Sequence, residues 1–190
     1  MNSMRKLNLF PVTTVDELAW PEAPRLMSLE TMALEFFTDF VMKEPLVIDQ
    51  FLGAVHARAV MIKTHVRLKL VVNRDKQFVG IITAEDLSDE KINLAALKRG
   101  VARDDLQVSD LMTRKADLLA MRMEEVEFST IGDVISFLKD NRQQHCLVID
   151  HDRHRIRGIF SASDISRKLR LPINIHDQSS FYKVFAAVAV

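Results

Sequence analysis

The feature that most constrains this chain is a motif that occurs twice. Residues 78–87 read FVGIITAEDL, and residues 156–165 read IRGIFSASDI. Both contain a glycine, two apolar residues, Thr or Ser, two further residues and Asp. Each follows an apolar segment and a polar turn, NRDKQ or HDRHR, which is the pattern of two β-strands joined in a hairpin. The turn is one residue longer in the second copy. The chain is therefore predicted to contain a duplicated helix–strand–turn–strand–helix unit.

Apolar residues at helical spacing precede each strand pair. In the first copy the predicted helix has one stripe, formed by Phe51, Val55, Ala59 and Ile62. In the second copy the stripe is formed by Ile131, Val134, Ile135 and Leu138. A leading helix is predicted in SLETMALEFFTDF, with Ser28 as its N-cap, and Gly100 is expected to end a helical connector between the units.

These elements divide the chain into four parts. Residues 1–27 hold three of the five prolines and are expected to form an irregular arm, pinned to the body by Phe10 and Trp20. Residues 28–100 form the first repeat with its leading helix and connector, and residues 101–172 form the second. Residues 173–190 are a predicted helical tail that folds back on the body or on a partner. Its apolar face is formed by Phe181, Val184, Phe185 and Val188.

The bulk composition excludes several classes of function. The formal net charge is zero, which argues against a nucleic-acid binder, because such proteins need a basic face. No apolar run approaches the ~20 residues that span a bilayer, and no signal peptide is recognised at the N-terminus. The single cysteine, Cys146, permits no intramolecular disulfide and fits a reducing compartment. A cytoplasmic protein that binds neither nucleic acid nor membrane is predicted.

The repeated motif has a structural and a functional interpretation. A hydroxyl followed three residues later by an acid is a capping box, so Thr83 with Asp86, and Ser161 with Asp164, could each simply start a helix. A helix N-terminus also attracts phosphate, and an acid one turn further can accept hydrogen bonds from ribose hydroxyls. Finding the motif twice, each time after a predicted hairpin, favours the functional interpretation.

Glycine precedes the hydroxyl residue in both copies. Gly80 and Gly158 remove a side chain at a point where a ligand could approach the strand. Each motif is therefore predicted to border a ligand cleft.

The quoted segments resemble a tandem pair of cystathionine-β-synthase (CBS) domains. The matching stretches are VRLKLVVNRDKQFVGIITAEDL and QQHCLVIDHDRHRIRGIFSASDI, with VSDLMT and the looser FTDFVM at the start of each repeat. The resemblance covers about residues 37–170. It implies an α/β fold in which two CBS-type repeats of helix, strand, strand and helix pack about a pseudo-twofold axis.

The resemblance also implies a function. The cleft between such repeats commonly holds an adenosine-containing ligand such as AMP, ADP, ATP or S-adenosylmethionine, with no covalent cofactor. In the family, the hydroxyl contacts phosphate and the acid holds the ribose. The ligand-binding residues implied here are Thr83, Asp86, Ser161, Asp164, and the nearby basic residues Arg67 and His145. A regulatory, non-catalytic homodimer is expected, which signals through self-association or an unidentified protein partner.

Some residues depart from the family pattern. Leu70 and Leu147 stand where the family usually has proline. The usual Asp that follows is replaced by Asn73 in the first copy and is present as Asp150 in the second. The stretch from 112 to 130 is longer than usual and could obstruct the second pocket. Asp86 is therefore expected to matter more than Asp164.

Three other hypotheses compete with this interpretation. The chain could be a structural dimerisation module with no ligand. The chain could instead be an enzyme that uses His145, Asp150 or Asp164, but the sequence offers no nucleophile with a matched base. Cys146 and His145 do not form such a pair easily, because adjacent residues on a strand point to opposite faces. His151, Asp152 and His154 could be imagined as metal ligands, but a solvated hairpin tip is favoured, because tight sites draw ligands from separate elements. Neither catalytic residues nor a metal site are predicted.

Overall fold

The computed structural model describes residues 9, 11–13, 16–19 and 27–175. The elements of the first half are β1 (Thr38–Asp39), β2 (Val47–Asp49), α1 (Ala54–Lys63), β3 (Leu68–Val72), β4 (Phe78–Thr83) and α2 (Asp89–Arg99). Those of the second half are α3 (Val108–Leu111), β5 (Thr113–Arg114), β6 (Ala120–Arg122), α4 (Met123–Val126), α5 (Ile131–Asp140), β7 (His145–Asp150), β8 (Arg155–Ser161) and α6 (Ala162–Leu169). Short 3₁₀ helices occupy Ala33–Phe36, Arg103–Asp105 and Lys115–Asp117.

The strands form two four-stranded sheets that exchange their outer strands. The orders are β2-β3-β4-β5 and β1-β8-β7-β6. The short strand β1 therefore pairs with the hairpin of the second repeat, and β5 pairs with that of the first. This exchange links two helix–strand–strand–helix repeats about a pseudo-twofold axis, which confirms the predicted fold class.

The registers show the symmetry of the two hairpins directly. Val71 lies opposite Gly80 in β3–β4, and Val148 lies opposite Gly158 in β7–β8. Each hairpin has an irregularity one residue further toward its turn. The extra residue of the second copy falls in that turn, as the sequence predicts.

Each repeat has its own hydrophobic core, and the segment leading into each repeat packs in the core of the other. Ala33 and Phe36 are buried with the second repeat, and Leu106 and Val108 are buried with the first. The predicted stripe of α5 is confirmed, because Ile131, Val134, Ile135 and Leu138 are all buried. The left-handed Gly100 ends α2, also as predicted.

The predicted leading helix over residues 28–40 is wrong. The segment contains one 3₁₀ turn and then strand β1. The Ala33 N–H donates to the carbonyl of Ser129 at 2.9 Å, and the Phe37 ring lies 5.3 Å from that of Phe160. Pairing with the second repeat therefore overrides the local helical pattern.

The orientation of α1 also differs from the sequence expectation. Its buried side chains are Ala54, Ala57 and Met61, whereas the predicted stripe of Phe51, Val55, Ala59 and Ile62 is partly or largely exposed. Ala54 and Ala57 are part of the core of the first repeat. An apolar face of α1 is left at the surface as a result.

The terminal predictions lie mostly outside the described residues. These are the anchoring of the arm by Phe10 and Trp20, and the apolar face of Phe181, Val184, Phe185 and Val188. Within the described part of the chain, no helix has the length and apolarity to cross a bilayer.

Candidate functional site

In the first copy, Thr83 and Asp86 bond to each other. Asp86 Oδ2 accepts from the Thr83 hydroxyl at 2.6 Å and from the Thr83 N–H at 3.0 Å, and the Asp86 N–H donates to Thr83 Oγ1 at 3.1 Å. These reciprocal bonds are those of a capping box, but they close a turn and not a helix. Helix α2 begins later, after Ser88, whose hydroxyl accepts from the Lys91 N–H.

The expectation that Thr83 opens a helix is therefore wrong. Ser88 is followed by Asp89 and Glu90, whose charges favour a helix start at that point. The other oxygen of Asp86 accepts from Lys91 Nζ at 3.1 Å. Burial acts to lower the pKa of Lys91, but the hydrogen bond and charge of Asp86, with Glu85, outweigh it and raise that pKa. Both carboxylate oxygens of Asp86 are thus engaged within the chain.

In the second copy, the same residue types do not bond to each other. Ser161 is the N-cap of α6, as predicted, but its hydroxyl lies 2.9 Å from that of Ser163 and makes no capping bond. Asp164 pairs with Arg167 at 3.1 Å, and both side chains are well exposed. The Ser161 hydroxyl and the Asp164 carboxylate therefore remain open to solvent at the start of a helix.

Arg67 and His145 are the basic residues that the resemblance adds to the site. His145 begins β7 directly opposite Ser161. Burial lowers the pKa of His145, the charge of Asp164 raises it, and the charge of Arg67 lowers it. Arg67 of the first repeat and Asp164 of the second thus lie within electrostatic range of one imidazole. We call Arg67, His145, Ser161 and Asp164 the crossed site, because both repeats contribute to it.

Gly80 and Gly158 have a different role from the one expected. A Cβ on Gly80 would collide with the backbone carbonyl of Thr113, and one on Gly158 would collide with the carbonyl of Thr38 and the Phe37 ring. The exchanged strands β5 and β1 lie against these glycines. The glycines therefore make room for a neighbouring strand and not for a ligand.

A large cleft lies elsewhere. It has a volume of about 1250 Å³ and is bordered by the turns of both hairpins, so we call it the tip cleft. None of the six predicted ligand-binding residues lines it. These residues lie at the opposite ends of the same strands.

Arg157, which lines the tip cleft, belongs to a charged pair that could not be identified from the sequence. Arg157 donates to Asp39 through Nε at 2.8 Å and through a terminal nitrogen at 2.6 Å, which ties β1 to β8. The hydrogen bond from Arg157 lowers the pKa of Asp39, against the effect of burial.

Cys146 is buried, as expected, and burial raises the pKa of its thiol to about 11. Within residues 27–175 and the described parts of the arm, no three potential ligands converge on a metal position.

A family model describes this arrangement. The model of the CBS domain matches residues 37–92 and 108–171, which together make up more than half of the chain. The chain belongs to the CBS domain family. Among curated proteins, none matches the chain.

Solved structures share the CBS fold. An uncharacterised conserved protein from Pyrococcus horikoshii is 24% identical, with a TM-score of 0.56 over 78% of this chain and 98% of that one. CBSX2, solved in complex with AMP, is 20% identical, with a TM-score of 0.53 over 72% and 93% of the two chains. The CBS domain pair of protein MJ0100, solved with 5′-methylthioadenosine and S-adenosyl-L-methionine, is 22% identical, with a TM-score of 0.50 over 72% and 98%. At these identities the likeness establishes the fold.

The departures from the usual CBS pattern have local explanations. Leu70 is buried, and its N–H donates to the carbonyl of Leu46 at 2.9 Å, a bond that proline could not make. Asn73 closes its hairpin by accepting from the N–H groups of Asp75 and Gln77. The 112–130 stretch contains α4, whose Met123 and Val126 are buried in the second core.

Proposed function

We propose that this CBS pair is a regulatory, non-catalytic module that binds an adenosine-containing ligand at the crossed site. The observation that carries this proposal is the state of Ser161 and Asp164, which sit at the start of a helix without bonding to each other. A carboxylate at that point can accept from two ribose hydroxyls, and the helix start favours phosphate.

The basic residues of the crossed site support the same ligand. Arg67 is exposed and supplies a positive charge from the first repeat, while the half-buried His145 supplies ring nitrogens that can hydrogen-bond. The structural neighbours CBSX2 and MJ0100 were solved with AMP and with S-adenosyl-L-methionine, respectively. By analogy of fold, adenosine is the moiety that we propose here.

The first copy is the weaker candidate in this proposal. A ligand at Asp86 must displace bonds from Thr83 and Lys91, and their loss offsets the new contacts. We therefore propose that Asp164 contributes more to affinity than Asp86, the reverse of the order expected from sequence.

Calorimetric titration with AMP, ATP and S-adenosylmethionine tests the proposal. Asp164→Asn is expected to weaken binding by about 10- to 100-fold, the range for losing a hydrogen bond to a charged group. Asp104→Asn is the matched control, since Asp104 is an exposed acid on a separate 3₁₀ turn. Equal affinities of the wild type and Asp164→Asn would refute the assignment. If none of the three ligands binds the wild type at millimolar concentration, the ligand-free interaction module becomes the better hypothesis.

We also propose that the output involves a homodimer. Ile62 of α1 and Leu94 and Leu97 of α2 are exposed by 57%, 48% and 80%, and such apolar helix faces favour association. Sedimentation should give twice the chain mass of 21.7 kDa. A monomer at high micromolar concentration would argue against dimerisation and leave an unidentified protein partner as the receiver of the signal.

A further inference from the structure

The tip cleft carries more positive than negative charge. Five Lys or Arg residues line it: Lys76, Arg114, Lys115, Arg155 and Arg157. Arg155 is neutralised by Asp150, the one carboxylate among the lining residues that the structure describes, and Arg157 is neutralised by Asp39. Lys76, Arg114 and Lys115 form no ion pair with any residue that the structure describes. Three uncompensated cations therefore border one cavity.

The position of Arg114 departs from the pseudo-symmetry. Asp39 lies opposite Gly158 in one sheet, and Arg114 lies opposite Gly80 in the other. The residue preceding each glycine is Arg157 in the second copy and Val79 in the first. One sheet thus has an ion pair where the other has an unpaired guanidinium. This difference contributes a net positive charge to the cleft.

The floor of the cleft is apolar and symmetric. Val72 pairs with Phe78 at the end of the first hairpin, and Ile149 pairs with Ile156 at the end of the second. All four side chains are half-buried and line the cleft. A cavity of about 1250 Å³ with an apolar floor is large for an inorganic ion and suits an organic molecule.

Both hairpin tips adopt an unfavourable backbone conformation at a residue that lines the cleft. Lys76 has φ 60° and His154 has φ 48°, in the left-handed region where glycine is the least strained residue. Each closes its turn by donating its N–H to the residue three positions earlier. The His154 ring also lies 6.0 Å from that of His151, another lining residue.

We propose that the tip cleft binds the phosphate or polyphosphate group of a small organic molecule whose apolar body lies on the four-residue floor. Lys76, Arg114 and Lys115 contact the phosphate oxygens by charge-assisted hydrogen bonds, and His151 and His154 are further donors. This site is separate from the crossed site and does not depend on adenosine recognition.

Calorimetry with 2-naphthyl phosphate, inorganic phosphate and inorganic tripolyphosphate tests this site without a ribose group. The wild type is expected to bind 2-naphthyl phosphate about fivefold or more tighter than inorganic phosphate, because the naphthyl ring covers the floor. The double variant Lys76→Gly, His154→Gly should weaken binding of 2-naphthyl phosphate and tripolyphosphate by about tenfold or more. Its melting temperature should equal or exceed that of the wild type, since glycine relieves the left-handed backbone.

The matched control is His65→Gly, Arg142→Gly. These residues are also left-handed, with φ of 53° and 51°, but neither lines the cleft. The control should gain the same backbone relief and keep wild-type binding. A second variant, Arg114→Gln with Lys115→Gln, removes charge without altering the hairpins and should also bind more weakly.

Three results would overturn the proposal. The first is unchanged phosphate binding in both cleft variants. The second is an equal loss of binding in the His65→Gly, Arg142→Gly control. The third is loss of 2-naphthyl phosphate binding in Asp164→Asn but not in the cleft variants, which would move the anion to the crossed site. The adenosine proposal fails separately, through the titrations with AMP, ATP and S-adenosylmethionine.

Discussion

In the first copy of the repeated motif, both oxygens of Asp86 accept hydrogen bonds from Thr83 and Lys91. In the second copy, Asp164 pairs with an exposed arginine, and Ser161 bonds to a neighbouring serine. The same residue types thus close a turn in one repeat and leave polar groups open in the other. A motif defines which groups are available, and the surrounding chain determines whether they remain free for a ligand.

The two exchanged strands show a similar contrast. Strand β1 is fastened to its host sheet by the Asp39–Arg157 pair, whereas β5 places Arg114 opposite Gly80, which Val79 precedes. Both strands lie directly over a glycine. Both copies therefore need a glycine beneath the exchanged strand. Among the residues described, an ion pair joins the exchanged strand to its host only in the sheet of β1 and β8.

The largest expected effect comes from filling the space over those glycines. Gly158→Ala should lower the free energy of unfolding by about 3 kcal/mol or more, because the new methyl group displaces both the β1 backbone and the Phe37 ring. Gly80→Ala displaces the β5 backbone alone and should cost less, about 2–3 kcal/mol. Denaturant unfolding of both variants measures the difference.

Gly53→Ala is the control for this pair. Beyond its immediate chain neighbours, no atom lies within 4 Å of the position that the new methyl group would take, so stability should fall by no more than about 1 kcal/mol, the cost of replacing the Gly N-cap of α1 by Ala. If Gly80→Ala and Gly158→Ala are tolerated as well as Gly53→Ala, the exchanged strands do not lie where the structure places them.

A smaller effect is expected from the Asp39–Arg157 pair. Asp39→Ala should reduce stability by about 1–2 kcal/mol, since the pair is bidentate but partly solvated. The folded-state pKa of Asp39 is lowered, so its contribution is complete above the ordinary Asp value of about 4 and is lost as pH falls below it. The stability difference between the variant and the wild type should therefore be smaller at pH 3 than at pH 7, as measured by unfolding curves at the two pH values.

Asp152→Ala serves as the control, because Asp152 is exposed on the second hairpin. It should leave stability nearly unchanged at both pH values. A stability difference between Asp39→Ala and the wild type that persists unchanged at pH 3 would contradict the ionic explanation.

The sequence predicts the hairpins and α5 because their signals are local. Alternating apolar residues, a polar turn and a buried stripe all lie within one short segment. The exchanged strands β1 and β5 are only two residues long, and their pairing depends on distant parts of the chain. The prediction of a leading helix is wrong for this reason, because its helical spacing reflects contacts of a 3₁₀ turn with the other repeat.

The candidate site shows the same limit. The identities of Thr83, Asp86, Ser161 and Asp164 follow from the motif, but their bonding does not. Lys91 donates a hydrogen bond to the Asp86 carboxylate, and it belongs to a helix whose start depends on Ser88. Asp39 and Arg157 are 118 residues apart, so no spacing rule connects them.

The difference between the hydroxyl residues can be measured directly. Thr83→Ala removes both hydrogen bonds of the hydroxyl with Asp86, leaves the bond from the backbone N–H, and should cost about 1 kcal/mol of stability. Ser161→Ala removes a hydroxyl that makes no capping bond, so stability should change by no more than about 0.5 kcal/mol. Equal losses in the two variants, measured by denaturant unfolding without ligand, would show that the second copy is capped in solution as well.

The smallest expected effect concerns His145, whose counterpart opposite Thr83 in the first copy is Leu68. Burial, with Arg67, lowers the pKa of His145 and outweighs the opposing charge of Asp164. The unfolded chain therefore binds a proton more readily, and stability is lost as pH falls below the ordinary histidine value of about 6.5. His145→Leu copies the first repeat and removes this proton uptake. Its stability should fall less steeply than that of the wild type between pH 7 and pH 5, a range well above the Asp39 transition. Parallel stability curves for the two proteins over that range would mean that His145 titrates normally and that the burial of the crossed site has no electrostatic consequence.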